Sequence, residues 1–152
     1  EDFYANEFNG AREVCGFTPA AAQTVRRLKA RGYRVALATN PIFPHVATEH
    51  RIRWAGLTPE DFEIYTTYET STFCKPNPAY YLEVARSLGV TPEECLMVGN
   101  DANEDMAART LGMDVFLLTD CLINTKNRDI SVYPQGDFAA LNAYLDRLNS
   151  EK

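Results

Sequence analysis

Short apolar runs alternate along this chain with segments of helical period. Each run has the length of a buried strand, and together they cover residues 33–39, 63–68, 96–98 and 115–118. Helical spacing of apolar side chains is found in residues 20–30, 45–54, 79–88, 102–111 and 138–148. Strands that alternate with helices are joined by right-handed crossovers, so this order predicts an α/β fold with a parallel sheet.

The composition excludes several classes of protein. The chain has 152 residues, which is typical of one domain, and a formal net charge of −6. The acidic balance leaves no basic patch for phosphates, which argues against nucleic acid as a partner. No apolar run approaches the roughly 18 residues that cross a bilayer, so we expect no membrane partner. The four cysteines form no Cys-x-x-Cys pair, and the first residues do not resemble a secretory signal; we expect a cytoplasmic protein with reduced thiols.

Polar side chains follow the predicted strands, where a parallel sheet binds its ligands. Thr39 and Asn40 follow the first run, and Asp101 and Asp105 follow the run at 96–98. Lys75 lies between them in the chain, just before a helix that starts in a Pro-Asn-Pro segment.

These residue types suit a site for magnesium and phosphate. A hydroxyl and an amide hydrogen-bond phosphate oxygens, and a lysine supplies positive charge. Carboxylates in a loop that enters a helix are suitable hard oxygen ligands for Mg²⁺. Each feature alone has an ordinary structural explanation, such as a strand end, a turn or a helix start. Their order, each after its own strand or loop, favours a common site.

The same residues resemble a known superfamily. Thr39-Asn40 after an apolar strand, Lys75 before a proline-rich helix start, and Gly99-Asn100-Asp101 with Asp105 look like the second, third and fourth motifs of the haloacid dehalogenase superfamily. The resemblance covers roughly residues 17–120. It implies a Rossmann-like core and a magnesium-dependent hydrolase, most often a phosphatase that forms an aspartyl-phosphate.

The resemblance also implies roles for these residues. Thr39 would hydrogen-bond the phosphoryl oxygens as a catalytic and substrate-binding residue, with Asn40 beside it near the substrate. Lys75 would stabilise the charge on nucleophile and phosphate. Asp101 would reach the metal directly or through water and Asp105 would support it, although the motif does not decide which of the two is the main ligand. The expected cofactor is Mg²⁺ and the expected partner a small phosphorylated substrate.

Two departures from the pattern stand out. The superfamily has Gly-Asp where this chain has Gly99-Asn100, and the acid is displaced to Asp101. The first motif, an Asp-x-Asp after an apolar strand, is absent from the sequence. The resemblance implies that this motif supplies the nucleophile and the acid/base, on a strand in the centre of the sheet.

The missing motif leads to an expectation about the extent of the domain. Without a central strand, buried ladder groups would stay unpaired at roughly 1–3 kcal/mol each. We therefore expect this chain to be the C-terminal part of a longer protein, with residues 1–17 as the return from a missing cap domain and residues 18–152 as an incomplete core. A missing N-terminal segment of the same protein would then be a partner, and the chain alone would be inactive.

There are three alternatives to the phosphatase hypothesis. A non-catalytic relative would keep the fold and bind a partner or phosphate without turnover. A phospho-receiver is disfavoured, because receivers place their acidic pair first and here Thr39 and Lys75 precede Asp101. A 2-haloacid dehalogenase would not require the acidic loop that suits a metal.

Overall fold

The strands alternate with helices, and they belong to two parallel sheets. The computed structural model describes residues 2–150. The chain divides into two compact units, Glu1–Thr72 and Phe73–Lys152. None of the helices in the described residues is long and apolar enough to cross a membrane.

The first unit contains a two-stranded sheet. Its elements in chain order are helix α1 (Asp2–Ala5), a 3-10 helix (Glu7–Val14), helix α2 (Pro19–Ala30), strand β1 (Ala36–Leu37), helix α3 (His45–Trp54), a 3-10 helix (Pro59–Asp61) and strand β2 (Ile64–Tyr65). Strands β1 and β2 are parallel, with Ala36 opposite Ile64.

Local signals and a small core hold this unit together. The Thr18 hydroxyl accepts the N–H of Ala20 at 3.3 Å and Pro19 is the first residue of α2, which confirms the helix start that Thr-Pro indicates. The core is centred on Ala22, Ile52 and Leu57. Partly buried side chains complete it: Val25, Leu37, Phe62 and Tyr65.

The second unit contains a three-stranded sheet. Its elements in chain order are helix α4 (Pro78–Leu88), a 3-10 helix (Pro92–Glu94), strand β3 (Leu96–Gly99), a 3-10 helix (Asp105–Leu111), strand β4 (Asp114–Leu118), strand β5 (Gln135–Gly136) and helix α5 (Phe138–Ser150). The order is β3-β4-β5, and both pairings are parallel. The fully buried side chains include Tyr80 and Tyr81 of α4 and Leu117 of β4.

Short-range signals in the second unit are confirmed. Gly89 ends α4 in the left-handed region, at φ 67°, where glycine has no steric cost. Thr91 begins the next turn with a capping box, in which its N–H donates to Glu94 Oε2 at 2.8 Å.

The observed elements differ from the sequence prediction in three places. The strands predicted over 33–39 and 63–68 are shorter in the structure and consist only of β1 and β2. A segment forms a strand only where it is hydrogen-bonded to a neighbouring strand, and these two segments pair only over β1 and β2. The helix predicted over 102–111 is a 3-10 helix that begins at Asp105, because residues 101–104 form a turn on the Asp101 carboxylate. Residues 1–17 show no helical period, yet they contain α1 and a 3-10 helix.

Candidate functional site

A buried ion pair joins two of the residues that the sequence identifies. Lys75 Nζ donates to Asp105 Oδ1 across 2.7 Å, and each side chain is only 7% exposed. The ammonium also lies over the Tyr80 ring, 5.8 Å from its centre. Removing one partner of a buried pair typically costs about 3–5 kcal/mol, because the other charge is left uncompensated. The lysine and the aspartate are therefore held as a unit.

The two charged residues lie next to the starts of helical segments. Lys75 precedes α4, whose N-cap residue Asn77 accepts the N–H of Ala79 at 3.0 Å through its side chain. Asp105 is the first residue of the 3-10 helix that follows β3. Gly99, at the end of β3, leaves the space that the Asp105 carboxylate occupies.

The Asp101 carboxylate shapes the acidic loop, which comprises residues 100–105. Its Oδ1 accepts the backbone N–H groups of Asn103 at 2.7 Å and Glu104 at 2.8 Å. The N–H of Asp101 itself donates to Asp105 Oδ2 at 2.9 Å. Both oxygens of Asp105 are thus engaged, by Lys75 and by the Asp101 backbone. Among the described residues, Asp101 Oδ2 has no hydrogen-bond donor and remains available to a ligand.

Asp101 Oδ2 is a suitable ligand for a magnesium ion, and few other side chains would bind the metal with it. Within residues 2–150, no group of three or more His, Cys, Asp or Glu side chains is placed to hold a metal. Mg²⁺ is usually bound through one or two carboxylates, with water and substrate phosphate completing its octahedron. Asp101 alone, or Asp101 with Asp105 behind it, fits that type of open site.

Tyr81 supports the acidic loop from helix α4. Its side chain is buried and its hydroxyl donates to the backbone carbonyl of Glu104. Burial, followed by the negative charge of Asp105 nearby, raises the pKa of the Tyr81 hydroxyl well above its ordinary value. The phenol therefore stays a proton donor at neutral pH. The sequence carries no signal for this contact, because an aromatic residue in an apolar helix face indicates only packing.

Thr39 and Asn40 follow β1 in the first unit. The Thr39 hydroxyl donates to the carbonyl of Asn40 at 3.3 Å, and the Thr66 hydroxyl donates to the carbonyl of Thr39 at 2.8 Å. Both residues are half-buried at the carboxyl end of the strand, where the sequence predicts them. The structure brings Lys75, Asp101 and Asp105 together within the second unit, whereas Thr39 and Asn40 belong to the first.

Other polar residues have structural partners. Asp120 accepts the N–H of Phe138 through Oδ2 at 3.3 Å. His45 is exposed at the start of α3 and contacts Glu69. His50 is half-buried, and its Nε2 is shielded from solvent.

Comparisons with known proteins agree with this geometry. Residues 4–112 match the haloacid dehalogenase-like hydrolase family. A phosphoglycolate phosphatase of Nitrosococcus oceani is 31% identical over 66% of this chain, and a glyceraldehyde 3-phosphate phosphatase of Methanothermobacter thermautotrophicus is 33% identical over 66%. Among solved structures, CbbY from Rhodobacter sphaeroides in complex with phosphate matches 91% of this chain and 63% of its own, with a TM-score of 0.72 and 22% identity.

These matches define the fold and the family. The likeness to CbbY is one of fold, an α/β Rossmann-like architecture with parallel strands. The chain spans 44% and 43% of the two curated relatives, which is less than half the length of each. The match to the family itself extends from the first unit through the acidic loop. The chain belongs to the haloacid dehalogenase-like hydrolase family.

Proposed function

We propose that this chain is part of a magnesium-dependent phosphatase that hydrolyses a small phosphoester through an aspartyl-phosphate. The observation that carries the proposal is the buried Lys75–Asp105 pair, which lies beside Asp101. Asp101 itself keeps its Oδ2 available to a ligand. Phosphoryl transfer requires alignment and charge stabilisation more than elaborate covalent chemistry. The curated relatives named above are phosphatases of small phosphorylated metabolites, which supports this substrate class.

Each residue of the second unit has a distinct part in the proposal. Lys75 has three N–H donors and uses one of them for Asp105, so the other two are available to phosphoryl oxygens. Asp105 orients that ammonium and the Asp101 backbone. Asp101 would hold the metal through Oδ2, and a bound Mg²⁺ would offset the negative charge of the phosphoryl group.

Thr39 and Asn40 are proposed to bind the phosphoryl group from the first unit. Thr39 lies at the carboxyl end of a parallel strand, where open α/β sheets bind ligands. Its carbonyl is fixed by the Thr66 hydroxyl, so the backbone around the Thr39 side chain is well defined.

The nucleophile is proposed to come from a segment that precedes this chain in the natural protein. Among the described residues, β1 has β2 as its only strand neighbour and β3 has β4. One edge of each strand therefore has no strand partner and is suited to an incoming strand. Such a strand would carry the Asp-x-Asp motif, with residues 1–17 as the return from a cap and residues 18–152 as the remaining core. The chain alone would then be inactive. We also propose that the protein is cytoplasmic, where its four free cysteines stay reduced.

An assay of the chain with and without its proposed partner segment tests the function. With p-nitrophenyl phosphate and MgCl₂, we expect no turnover from the 152-residue chain and turnover when the preceding segment is joined to it. In the joined protein, Lys75→Met and Asp101→Ala should each lower kcat about 100-fold or more. Lys126→Met is the matched control and should leave kcat unchanged.

Two results would contradict the proposal. Turnover by the chain alone that Asp101→Ala abolishes would show that no outside nucleophile is needed. A joined protein that binds inorganic phosphate without turnover would favour the non-catalytic alternative.

A further inference from the structure

The loop that follows β4 lies against the acidic loop. We call its residues 121–128 the anchor loop. The N–H of Ile123 donates to the carbonyl of Asn100 at 2.8 Å, and the N–H of Ala102 donates to the carbonyl of Ile123 at 2.9 Å. Asp101 and Ile123 therefore form a parallel bridge beyond the ends of the strands. The two hydrogen bonds lie on either side of Asp101 and fix its backbone.

Side chains fasten the anchor loop at both ends. At one end, Asn100 Nδ2 donates to the carbonyl of Cys121 at 2.6 Å. At the other, Arg128 Nη2 donates to Asn103 Oδ1 at 2.9 Å. Asn124 holds the arginine in place, because its amide accepts the N–H of Arg128 and donates to the carbonyl of Arg128, each at 2.9 Å.

This arrangement explains why residue 100 is an asparagine. The Cys121 carbonyl needs a hydrogen-bond donor, which the Asn100 amide supplies, whereas a carboxylate at position 100 would place negative charge against that carbonyl oxygen. The two residues that follow Gly99 therefore have different roles. Asn100, which stands at the Asp position of the Gly-Asp pattern, binds the anchor loop, and Asp101 supplies the carboxylate oxygen that is available to a ligand.

We propose that Asn100 and Arg128 are positioning residues that set the affinity of Asp101 for Mg²⁺ through the anchor loop. They act on the carboxylate indirectly, since Asn100 and Asn103 flank it in the chain and Asn103 also donates its N–H to Asp101 Oδ1. Groups behind a metal ligand typically change metal affinity by about 10–100-fold. The part that concerns Mg²⁺ rests on the proposed function; the part that concerns the Asp101 backbone does not.

Amide hydrogen exchange on the full chain tests the positioning directly. Asn100→Ala and Arg128→Ala should speed exchange at the N–H groups of Ala102 and Ile123 by about fivefold to tenfold, as expected when one supporting hydrogen bond is lost. Lys126→Ala is the matched control, because it removes an exposed positive charge from the same loop. Unchanged exchange in both variants would overturn the inference. Should Asn100→Ala fail to fold, Arg128→Ala decides, since Arg128 is exposed.

A MgCl₂ titration followed through the Asp101 amide resonance tests the affinity. Asn100→Ala and Arg128→Ala should raise the Kd for Mg²⁺ about 10-fold or more, and Arg128→Lys should recover part of the loss. Asn100→Asp separates the two roles of position 100: a positioning residue predicts weaker binding, whereas a ligand predicts tighter binding and would overturn the inference. A wild-type chain that does not bind Mg²⁺ would refute the proposed metal and this affinity effect, and the exchange result would still decide the positioning of Asp101.

Discussion

The Asp105 carboxylate occupies the space in which a side chain on residue 99 would lie. A Cβ built on Gly99 would be 2.2 Å from Asp105 Oδ2 and 2.5 Å from Asp105 Cβ, which no real packing allows. Position 99 must therefore be a glycine, because the Asp105 side chain fills the space that a larger residue would need. The same closeness lets Asp105 reach the N–H of Asp101 on one side and Lys75 on the other.

Gly99→Ala should therefore displace the Asp105 carboxylate and weaken its bond to Lys75. We expect the free energy of unfolding to fall by about 1–3 kcal/mol, the usual cost of overpacking, as measured by urea denaturation. Gly10→Ala is the control, because a Cβ on Gly10 would have no atom within 4 Å. Equal stability of the two variants would contradict this account of Gly99.

The Lys75–Asp105 pair should show strong coupling in a double-mutant cycle. Lys75→Met and Asp105→Asn should each destabilise the chain by about 3–5 kcal/mol, because each leaves a buried group without its partner. The double variant should lose less than the sum of the two. The exposed Arg34–Glu63 pair, with side chains 48% and 43% exposed, is the comparison, and Arg34→Met should cost about 0–1 kcal/mol. Additive effects at Lys75 and Asp105 would refute the coupling.

Tyr81→Phe should loosen the acidic loop without changing the helix that carries it. The substitution removes only the hydroxyl that donates to the Glu104 carbonyl, and the loss of one such hydrogen bond typically costs about 0.5–1.5 kcal/mol. Urea denaturation gives the stability, and hydrogen exchange at the Asn103 and Glu104 amides gives the local effect. Tyr133→Phe serves as the control, because the Tyr133 side chain contacts Arg109 through its ring, which the substitution keeps. Faster exchange in the control as well would show that the effect is not specific to Tyr81.

Glu69 should make the stability of the first unit depend on pH. Hydrogen bonds from the Thr67 hydroxyl and the His45 backbone lower the pKa of Glu69 from 4.5 to about 2. Because the folded-state pKa is the lower one, the stabilisation is present above about pH 4.5 and is lost as the pH falls toward 2. Glu69 also caps α3 by accepting the N–H of His45 at 3.1 Å.

Glu69→Gln should therefore lower the Tm at pH 7, and the difference from wild type should shrink progressively as the pH falls from 4.5 to 2. Melting curves followed by circular dichroism across this range provide the test. Glu13→Gln, at an exposed position, is the control. A difference in Tm that stays constant with pH would mean that the carboxylate charge of Glu69 does not contribute.

The sequence predicts best what is decided locally. The bounds of α3 match the helix predicted over 45–54, and the Gly89 stop and the Thr91 capping box follow from rules that involve only a few neighbouring residues. Strand lengths depend on a partner elsewhere in the chain, which is why β1 is shorter than its apolar run. Strand β5, Gln135–Gly136, has no β-branched residue and forms only through its pairing with Leu117 and Leu118.

The candidate site also has features that the sequence predicts and features that it does not predict. The chemistry of Lys75, Asp101 and Asp105 is evident from residue type and order, because each lies after a strand or before a helix. The space reserved by Gly99 and the support from Tyr81 are properties of packing and are not encoded in spacing. The anchor loop has no periodicity at all, so its contact with Asn100 becomes apparent only in the structure.

The open edges of β1 and β3 have a consequence for handling the protein. A strand edge with unpaired N–H and carbonyl groups is a template for any extended chain, including another copy of the same chain. Among the described residues, β1 pairs with β2 as its only strand neighbour and β3 with β4. We therefore expect the chain, when produced by itself, to self-associate as its concentration rises. The segment that we propose to supply the nucleophile would then act as a solubility factor as well.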